Sequence, residues 1–358
     1  MNLVHLEVQN VRILRDVSLT LAGGLNAFVG PNGAGKTSLL EAVHVLATGH
    51  SFRTRRLGEL VRRDTDWLRV RGEVAWDEGS RSWIGVEKQP DGLRVRVGGE
   101  DVRSASSLAR QLPAVVVSPD SQRLLTDGAN LRRQLIDWAL FHVEPAYFDH
   151  HRRFRRVLRQ RNAALRDGVS PDRLDAWDRE MAELGEQLHT LRARHMETLI
   201  PAFGETLSQL MTVVVEIAYQ AGWRGGQTLA EALAAVRDTD RERGFTSVGP
   251  HRGDLQFRVA GGPAQQTLSR GEAKLFVVGL LLAQGEYLVA RQGRVPLVLV
   301  DDLASELDGD SRGRFFERLR VLGAQTLVTT VDQELLQPGD GTPMKVFHVE
   351  RGQTAEVI

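Results

Sequence analysis

The 358-residue chain contains no cysteine, so disulfides, thiol nucleophiles and thiolate metal sites are excluded. A chain without them suits a reducing compartment, and a cytoplasmic protein is expected. Long hydrophobic runs are missing as well. Stretches such as Leu275 to Ala283 are too short to cross a bilayer. The start Met1-Asn2-Leu3-Val4-His5 lacks the basic segment and apolar core of an export signal, and the expectation is a soluble protein with no membrane partner. There is no excess of either charge: 46 basic residues balance 46 acidic ones, so net charge does not announce a nucleic-acid partner. Lysine is scarce, with Lys36, Lys88, Lys274 and Lys345 the whole complement.

One of those four lysines lies in Gly30-Pro31-Asn32-Gly33-Ala34-Gly35-Lys36-Thr37, which fits the phosphate-cradling pattern G-x-x-x-x-G-K-[ST] in full. With lysine this rare, chance would produce the match in roughly one such chain in a few hundred. A ring of backbone N–H groups around phosphates needs turns open only to residues without Cβ, which Gly30, Gly33 and Gly35 supply. Lys36 can reach the β- and γ-phosphates, Thr37 can hold Mg²⁺, and the following helix points its positive end at the anion. Leu25 to Val29 reads as a buried strand before the loop. Leu39, Ala42, Val43 and Leu46 recur at helical spacing after it, until Gly49. The nucleotide-binding set is therefore Gly30, Pro31, Asn32, Gly33, Ala34, Gly35, Lys36, Thr37 and Ser38, with ATP and Mg²⁺ as the implied ligands.

The length exceeds one typical core, and the patterns predict an α/β protein with an inserted helical lobe. Strands are expected at Leu3 to Val8, Val17 to Leu21 and Leu25 to Val29, with an antiparallel sheet between Trp67 and Val97 and a buried strand at Ala114 to Val117. The period then becomes helical. Leu131, Leu135, Ile136 and Trp138 mark one helix, and Phe154, Leu158 and Leu165 a second. Ser170 and Pro171 open a third carrying Leu174, Trp177, Met181, Leu184, Leu188 and Leu191 in steps of three and four. The last two form either a short antiparallel coiled-coil hairpin, its seam fading before Pro201, or a pair of ordinary bundle helices. Strand character returns at Leu255 to Val259 and Gln265 to Leu268. A helix follows from Gly271 to Ala290, then strands at Pro296 to Val300 and Leu327 to Thr329, and a last edge strand at Val346 to Val349. Residues 1–120 and 250–358 thus build one lobe, with 121–249 inserted. Arginines crowd at Arg53, Arg55, Arg56, Arg62 and Arg63, and again at Arg152, Arg153, Arg155, Arg156, Arg159 and Arg161; either cluster is a partner surface or a solvated face.

Val298-Leu299-Val300-Asp301-Asp302 is an apolar strand ending in two carboxylates. Asp301 is assigned to the metal, directly or through water, and Asp302 to orienting or deprotonating the attacking water. Upstream, Leu268-Ser269-Arg270-Gly271-Glu272 resembles the LSGGQ signature of ABC-type ATPases, which closes in trans over a nucleotide held by the other subunit. Ser305-Glu306-Leu307-Asp308 resembles the D-loop at the same seam. With Leu39-Leu40-Glu41-Ala42, Ala47 to Thr54, Ser118-Pro119-Asp120, Gly249-Pro250-His251-Arg252 and Asp301 to Asp308, the order and spacing along nearly the whole chain resemble the RecF family of ABC/SMC-like recombination mediators.

The resemblance implies an ABC/SMC-like P-loop ATPase head. Such a protein is a weak ATPase that dimerises on ATP, binds double-stranded and gapped DNA, and works with RecO and RecR to load RecA. The signature set is Ser269, Arg270, Gly271 and Glu272, the D-loop residues are Ser305 and Asp308, and Arg53 to Arg63 are the better DNA candidates. Four departures stand out. Glu272 replaces the usual glutamine, Gly253-Asp254 replaces an acidic pair, Thr329-Thr330 occupies the place of a switch histidine, and no clear Q-loop glutamine exists beyond Gln122. The alternatives are a transport ATPase subunit, which needs the last two features, and a DNA clamp that holds ATP with negligible hydrolysis.

Overall fold

The structure, a computed structural model, describes all residues except 77–78, 103, 303–306, 337–340 and 358. Its elements begin with β1 (Asn2–Val11), β2 (Leu14–Thr20), β3 (Leu25–Val29), α1 (Lys36–Thr48), β4 (Leu68–Ala75), β5 (Arg81–Gln89), β6 (Gly92–Val97), β7 (Glu100–Val102), α2 (Ser106–Gln111) and β8 (Ala114–Val117). Then come α3 (Arg123–Thr126), α4 (Ala129–Val143), α5 (Tyr147–Arg166), α6 (Pro171–Leu210), β9 (Glu216–Gln220), α7 (Leu229–Ala235), α8 (Arg237–Arg243), β10 (Asp254–Val259), β11 (Gly262–Pro263) and α9 (Ala264–Thr267). The chain closes with α10 (Arg270–Gln292), β12 (Leu297–Asp301), α11 (Gly309–Leu322), β13 (Thr326–Thr330), β14 (Met344–Glu350) and β15 (Gln353–Glu356). By internal contacts it divides into Met1–Ser121 with Val278–Ile358, and Gln122–Val277. The expected return at residue 250 falls inside the second unit, because β10, β11 and α9 belong with the helices and the division comes within α10.

The first unit holds two six-stranded sheets, in the orders β2-β1-β4-β5-β6-β7 and β15-β14-β3-β13-β12-β8. The first is antiparallel; β4 alternates buried and half-buried residues along its length, as a sheet with one face on a core does. In the second, β12 and β13 are buried at every residue, the mark of parallel strands covered on both faces. Helix α1 is buried nearly all round, and its Leu39, Leu40, Val43 and Leu46 share one core with Leu3, Leu6 and Val8 of the first sheet and Phe28, Leu299 and Leu327 of the second. Its approach to β4 depends on Gly72, where a Cβ would stand 2.6 Å from both Leu3 and Leu46 side chains. The expected last edge strand is interior: β14 pairs with β3 on one side and with β15 on the other.

In the second unit α5 and α6 form the expected antiparallel hairpin, with Ala164, Leu165 and Leu174 packed at its turn. Helix α5, 20 residues long, keeps the arm short, as the fading seam implies, but α6 continues beyond it. Helix α6 runs 40 residues straight through Pro201, because the buried stripe continues at Met196, Leu199, Phe203, Leu207 and Leu210 and offsets the hydrogen bond that proline cannot donate. Arg161, part of the basic run in sequence, is fully buried and binds Asp178 at 2.6 Å and Asp240 and Thr246 at 2.8 Å. Gln265 to Leu268 is not a strand; Ala264–Thr267 is a helical turn after the short β10–β11 hairpin. The apolar run Leu275 to Ala283 lies in α10, a 23-residue helix with an 18-residue window of mean hydropathy 1.5, enough by length and composition to cross a membrane. Of its most apolar window, 67% is buried within the protein, as in a core helix.

Candidate nucleotide-binding site

Parallel register brings the carboxyl ends of three neighbouring strands together. β13 lies between β3 and β12, pairing Thr330 with Val29 and Thr329 with both Phe28 and Asp301. The loop Gly30 to Lys36, the Thr329 hydroxyl and the Asp301 carboxylate therefore gather at the carboxyl ends of the strands, where open α/β sheets bind ligands.

The loop has the backbone that its glycines predict. Gly33 and Gly35 lie at φ 79° and 113°, and a Cβ on Gly30 would stand 2.1 Å from the Val349 carbonyl oxygen. Lys36 is buried and folds back on its own loop, its Nζ donating to the carbonyls of Gly30 at 2.6 Å and Pro31 at 3.0 Å. Burial lowers the pKa of this ammonium, while Asp302 and Asp301 oppose the shift.

Thr37 and Asp301, the two residues that the sequence assigns to the metal, are in direct contact: the hydroxyl donates to Asp301 Oδ1 at 2.9 Å. Among the described residues no group of three or more His, Cys, Asp or Glu side chains could hold a metal. One hydroxyl beside one carboxylate nevertheless fits Mg²⁺, which commonly takes one or two carboxylates with water and phosphate oxygens. In sequence Thr329 marks only the place where a histidine is missing; in the fold it is a member of the site. Its hydroxyl donates to Asp301 Oδ1 at 2.8 Å and accepts from the Asp302 N–H at 3.0 Å, so a single side chain holds the carboxylate of one acid and the backbone of the next. Asp302 itself sits at φ 54°, a left-handed conformation uncommon outside glycine and of the kind that accumulates at functional sites.

Glu41, in sequence only one letter of the Leu39-Leu40-Glu41-Ala42 motif, organises the arginine segment beside the loop. Fully buried on α1, it takes a bidentate pair from Arg12, both bonds 3.1 Å, and accepts the Ser51 hydroxyl. Ser51 Oγ in turn accepts the N–H groups of Arg53 at 3.0 Å and Thr54 at 3.1 Å. Arg53, Arg55, Arg56 and Arg63 are exposed; Arg62 is half-buried and engaged by Asp64.

The signature residues belong to the second unit. Ser269 and Glu272 form a reciprocal cap at the start of α10: Ser269 N–H and Oγ donate to the Glu272 carboxylate at 2.8 and 2.6 Å, and Glu272 N–H donates back at 3.3 Å. Those bonds hold the Glu272 pKa below the usual carboxylate range. Arg270 and Gly271 are exposed. Ser305 lies outside the described residues. Asp308 caps α11, accepting the Ser311 N–H at 2.8 Å and Oγ at 2.9 Å. The Gly253-Asp254 departure is also engaged, Asp254 binding Arg132 at 2.7 and 3.0 Å.

The sequence profile of the RecF/RecN/SMC N terminal domain matches residues 2–355. The chain is 44% identical over 354 residues to the DNA replication and repair protein RecF of Thioalkalivibrio sulfidiphilus, covering 98% of each, and 40% identical over 361 residues to that of Azotobacter vinelandii, covering 99% of each. A solved structure of the recombination mediator protein RecF with ATP, in the RecFOR pathway, superposes with a TM-score of 0.90 at 26% identity, over 99% of this chain and 97% of that one. An Smc head bound to the C-winged helix domain of ScpA shares the fold at a TM-score of 0.62 and 16% identity. Matched from one end to the other, the chain belongs to the RecF family of DNA replication and repair proteins, within the ATP-binding, SMC-like ATPases.

Proposed function

We propose that the chain is an ATP-switched DNA clamp of recombinational repair, using Met1–Ser121 with Val278–Ile358 as the ATPase head. The observation that carries this reading is the convergence of Lys36, Thr37, Asp301 and Thr329 at the ends of β3, β12 and β13. ATP binding would draw the Lys36 ammonium from the carbonyls of Gly30 and Pro31 onto the β- and γ-phosphates, which match its charge better. Thr37 and Asp301 would hold Mg²⁺, which offsets phosphate charge when bound. Asp302, fixed through its N–H by Thr329, would orient the attacking water.

Ser269, Arg270, Gly271 and Glu272 would close over the nucleotide of a second copy, with Ser305 and Asp308 lining the same seam. For Ser269 this requires exchanging its bond to Glu272 for the γ-phosphate. Arg53, Arg55, Arg56 and Arg63 would meet duplex phosphates in a sequence-tolerant, salt-sensitive manner, and Arg62 would contribute less because Asp64 already engages it. Double-stranded and gapped DNA, RecO and RecR are the proposed partners, and RecA loading the proposed outcome.

Sedimentation velocity on wild type, Ser269→Arg and Asp302→Asn, with and without ATP-Mg²⁺ and a gapped duplex, tests the reading. Wild type should dimerise on ATP and hold the duplex, Ser269→Arg should bind ATP as a monomer, and Asp302→Asn should stay dimeric for longer. ATP binding without a wild-type dimer, or an unimpaired Ser269→Arg dimer, refutes the composite site.

A further inference from the structure

Helix α5 carries seven arginines at 152, 153, 155, 156, 159, 161 and 166 against one acidic residue, Asp149. At about 100° per residue, Arg152, Arg155, Arg156, Arg159 and Arg166 fall within an arc of about 100°, while Arg161 points to the opposite side. Burial follows that wheel: Arg161 is fully buried and the other five are exposed.

Several inward-facing arginines of the same unit are neutralised by the fold. Arg132 binds Asp254 at 2.7 Å, Arg161 binds Asp178 and Asp240, Arg192 binds Asp137 at 2.7 Å, and Arg237 binds Asp175 and Asp178 at 2.6 and 2.7 Å. On the outer face of α5 only Arg152 has an acid, Asp149 at 3.5 Å, and both are exposed. Among the described residues Arg155, Arg156 and Arg159 make no ion pair or side-chain hydrogen bond. Like charges three and four residues apart, as in 152/155, 152/156, 155/159 and 156/159, destabilise a helix. This stripe therefore acts against the stability of its own helix until an anion neutralises it.

We infer that the outer face of α5 is a second nucleic-acid surface, separate from Arg53 to Arg63, that binds the phosphate backbone of duplex DNA along the hairpin arm. Arg152 to Arg159 covers about 10 Å of helix axis, or about three base steps, and Arg166 extends the row to about 21 Å. A rigid row of guanidinium groups matches an anion array of regular spacing, and each group can engage phosphate through two N–H donors. The choice of DNA over another polyanion rests on the proposed function; the stripe itself does not.

The test is fluorescence anisotropy of a labelled duplex with the full chain and ATP-Mg²⁺, between about 50 and 200 mM salt. Arg155→Ala/Arg156→Ala/Arg159→Ala should reduce the slope of log K against log salt by about 2 to 3 and weaken binding at least about tenfold, with the melting temperature unchanged or raised. The corresponding triple Lys variant should restore the slope, because the charge returns. An unchanged slope in the Ala variant, while Arg53→Ala/Arg55→Ala/Arg56→Ala loses binding, overturns the inference and leaves the proposed function standing. A stripe-dependent slope in a protein that never dimerises on ATP supports the inference and removes the clamp. Loss of an acidic peptide instead of duplex would assign the stripe to a protein partner and overturn it.

Discussion

Thr329→Val tests how the Asp301 carboxylate and the Asp302 backbone are held. Thr329 is 1% exposed and Asp301 8%, so little water can replace a lost bond. Valine keeps a similar shape but removes the donor to Asp301 Oδ1 and the acceptor for the Asp302 N–H. A hydrogen bond to a charged group contributes about 2 kcal/mol and a neutral one about 1, giving about 3 kcal/mol in all. Asp301 keeps its bond from Thr37, so the carboxylate is misplaced rather than released. If half to two-thirds of that energy positions groups for the transition state, turnover falls by about tenfold to thirtyfold. Nucleotide affinity should change by less than about threefold, since the glycine loop and Lys36 are untouched. The assay is steady-state ATP hydrolysis with Mg²⁺ beside fluorescent-nucleotide titration. Thr329→Ser, which keeps the hydroxyl, should stay near wild type. Wild-type turnover in the Val variant, or equal impairment in both variants, refutes the reasoning.

Glu41→Gln should release the arginine segment from α1, because Arg12 loses a buried charged partner and the Ser51 hydroxyl a charged acceptor, at a cost of about 3 kcal/mol. Limited trypsin digestion reads this directly: faster cleavage after Arg53, Arg55 and Arg56 is expected, and a wild-type digestion pattern would show that Glu41 does not hold the segment. Acid should destabilise the protein through two histidines. Burial lowers both His44 and His251 to about 4 from about 6.5; hydrogen bonds to the His50 and Thr246 carbonyls oppose the shift, and for His251 Arg252 and Arg133 reinforce it. The unfolded chain therefore binds more protons below about pH 6.5, so their contribution is complete above that pH and is lost as pH falls toward 4, on the order of 3 kcal/mol for each. Melting curves from pH 7.5 to 4.5 should show the decline, and His44→Gln with His251→Gln should flatten it; an equally steep profile in the double variant would place the acid sensitivity elsewhere.

Local chemistry makes the nucleotide loop legible in the sequence. Gly30, Gly33 and Gly35 are demanded by the path of one short turn, and α1 and the strand before it follow from apolar spacing nearby. The seam of α6 is equally local, since 3.6 residues per turn decides which residues share a face. Local pattern cannot supply whatever depends on distant partners. Pro201 reads as a stop, yet tertiary burial on both sides carries the helix through it. Val346 to Val349 reads as an edge until β15 pairs beside it. Arg161 reads as one of the basic run; helical spacing sets it opposite the others, and Asp178 and Asp240 make that side a buried one. Thr329 is decided by parallel register, which sets a residue of β13 against an acid 28 positions away in the chain, and Glu41 by an arginine from a different element. The sequence alone thus determined that the chain carries a G-x-x-x-x-G-K-[ST] loop between a strand and a helix; the tertiary structure decided which side chains hold the neighbouring acids and arginines in place, because those contacts join residues that no local period connects.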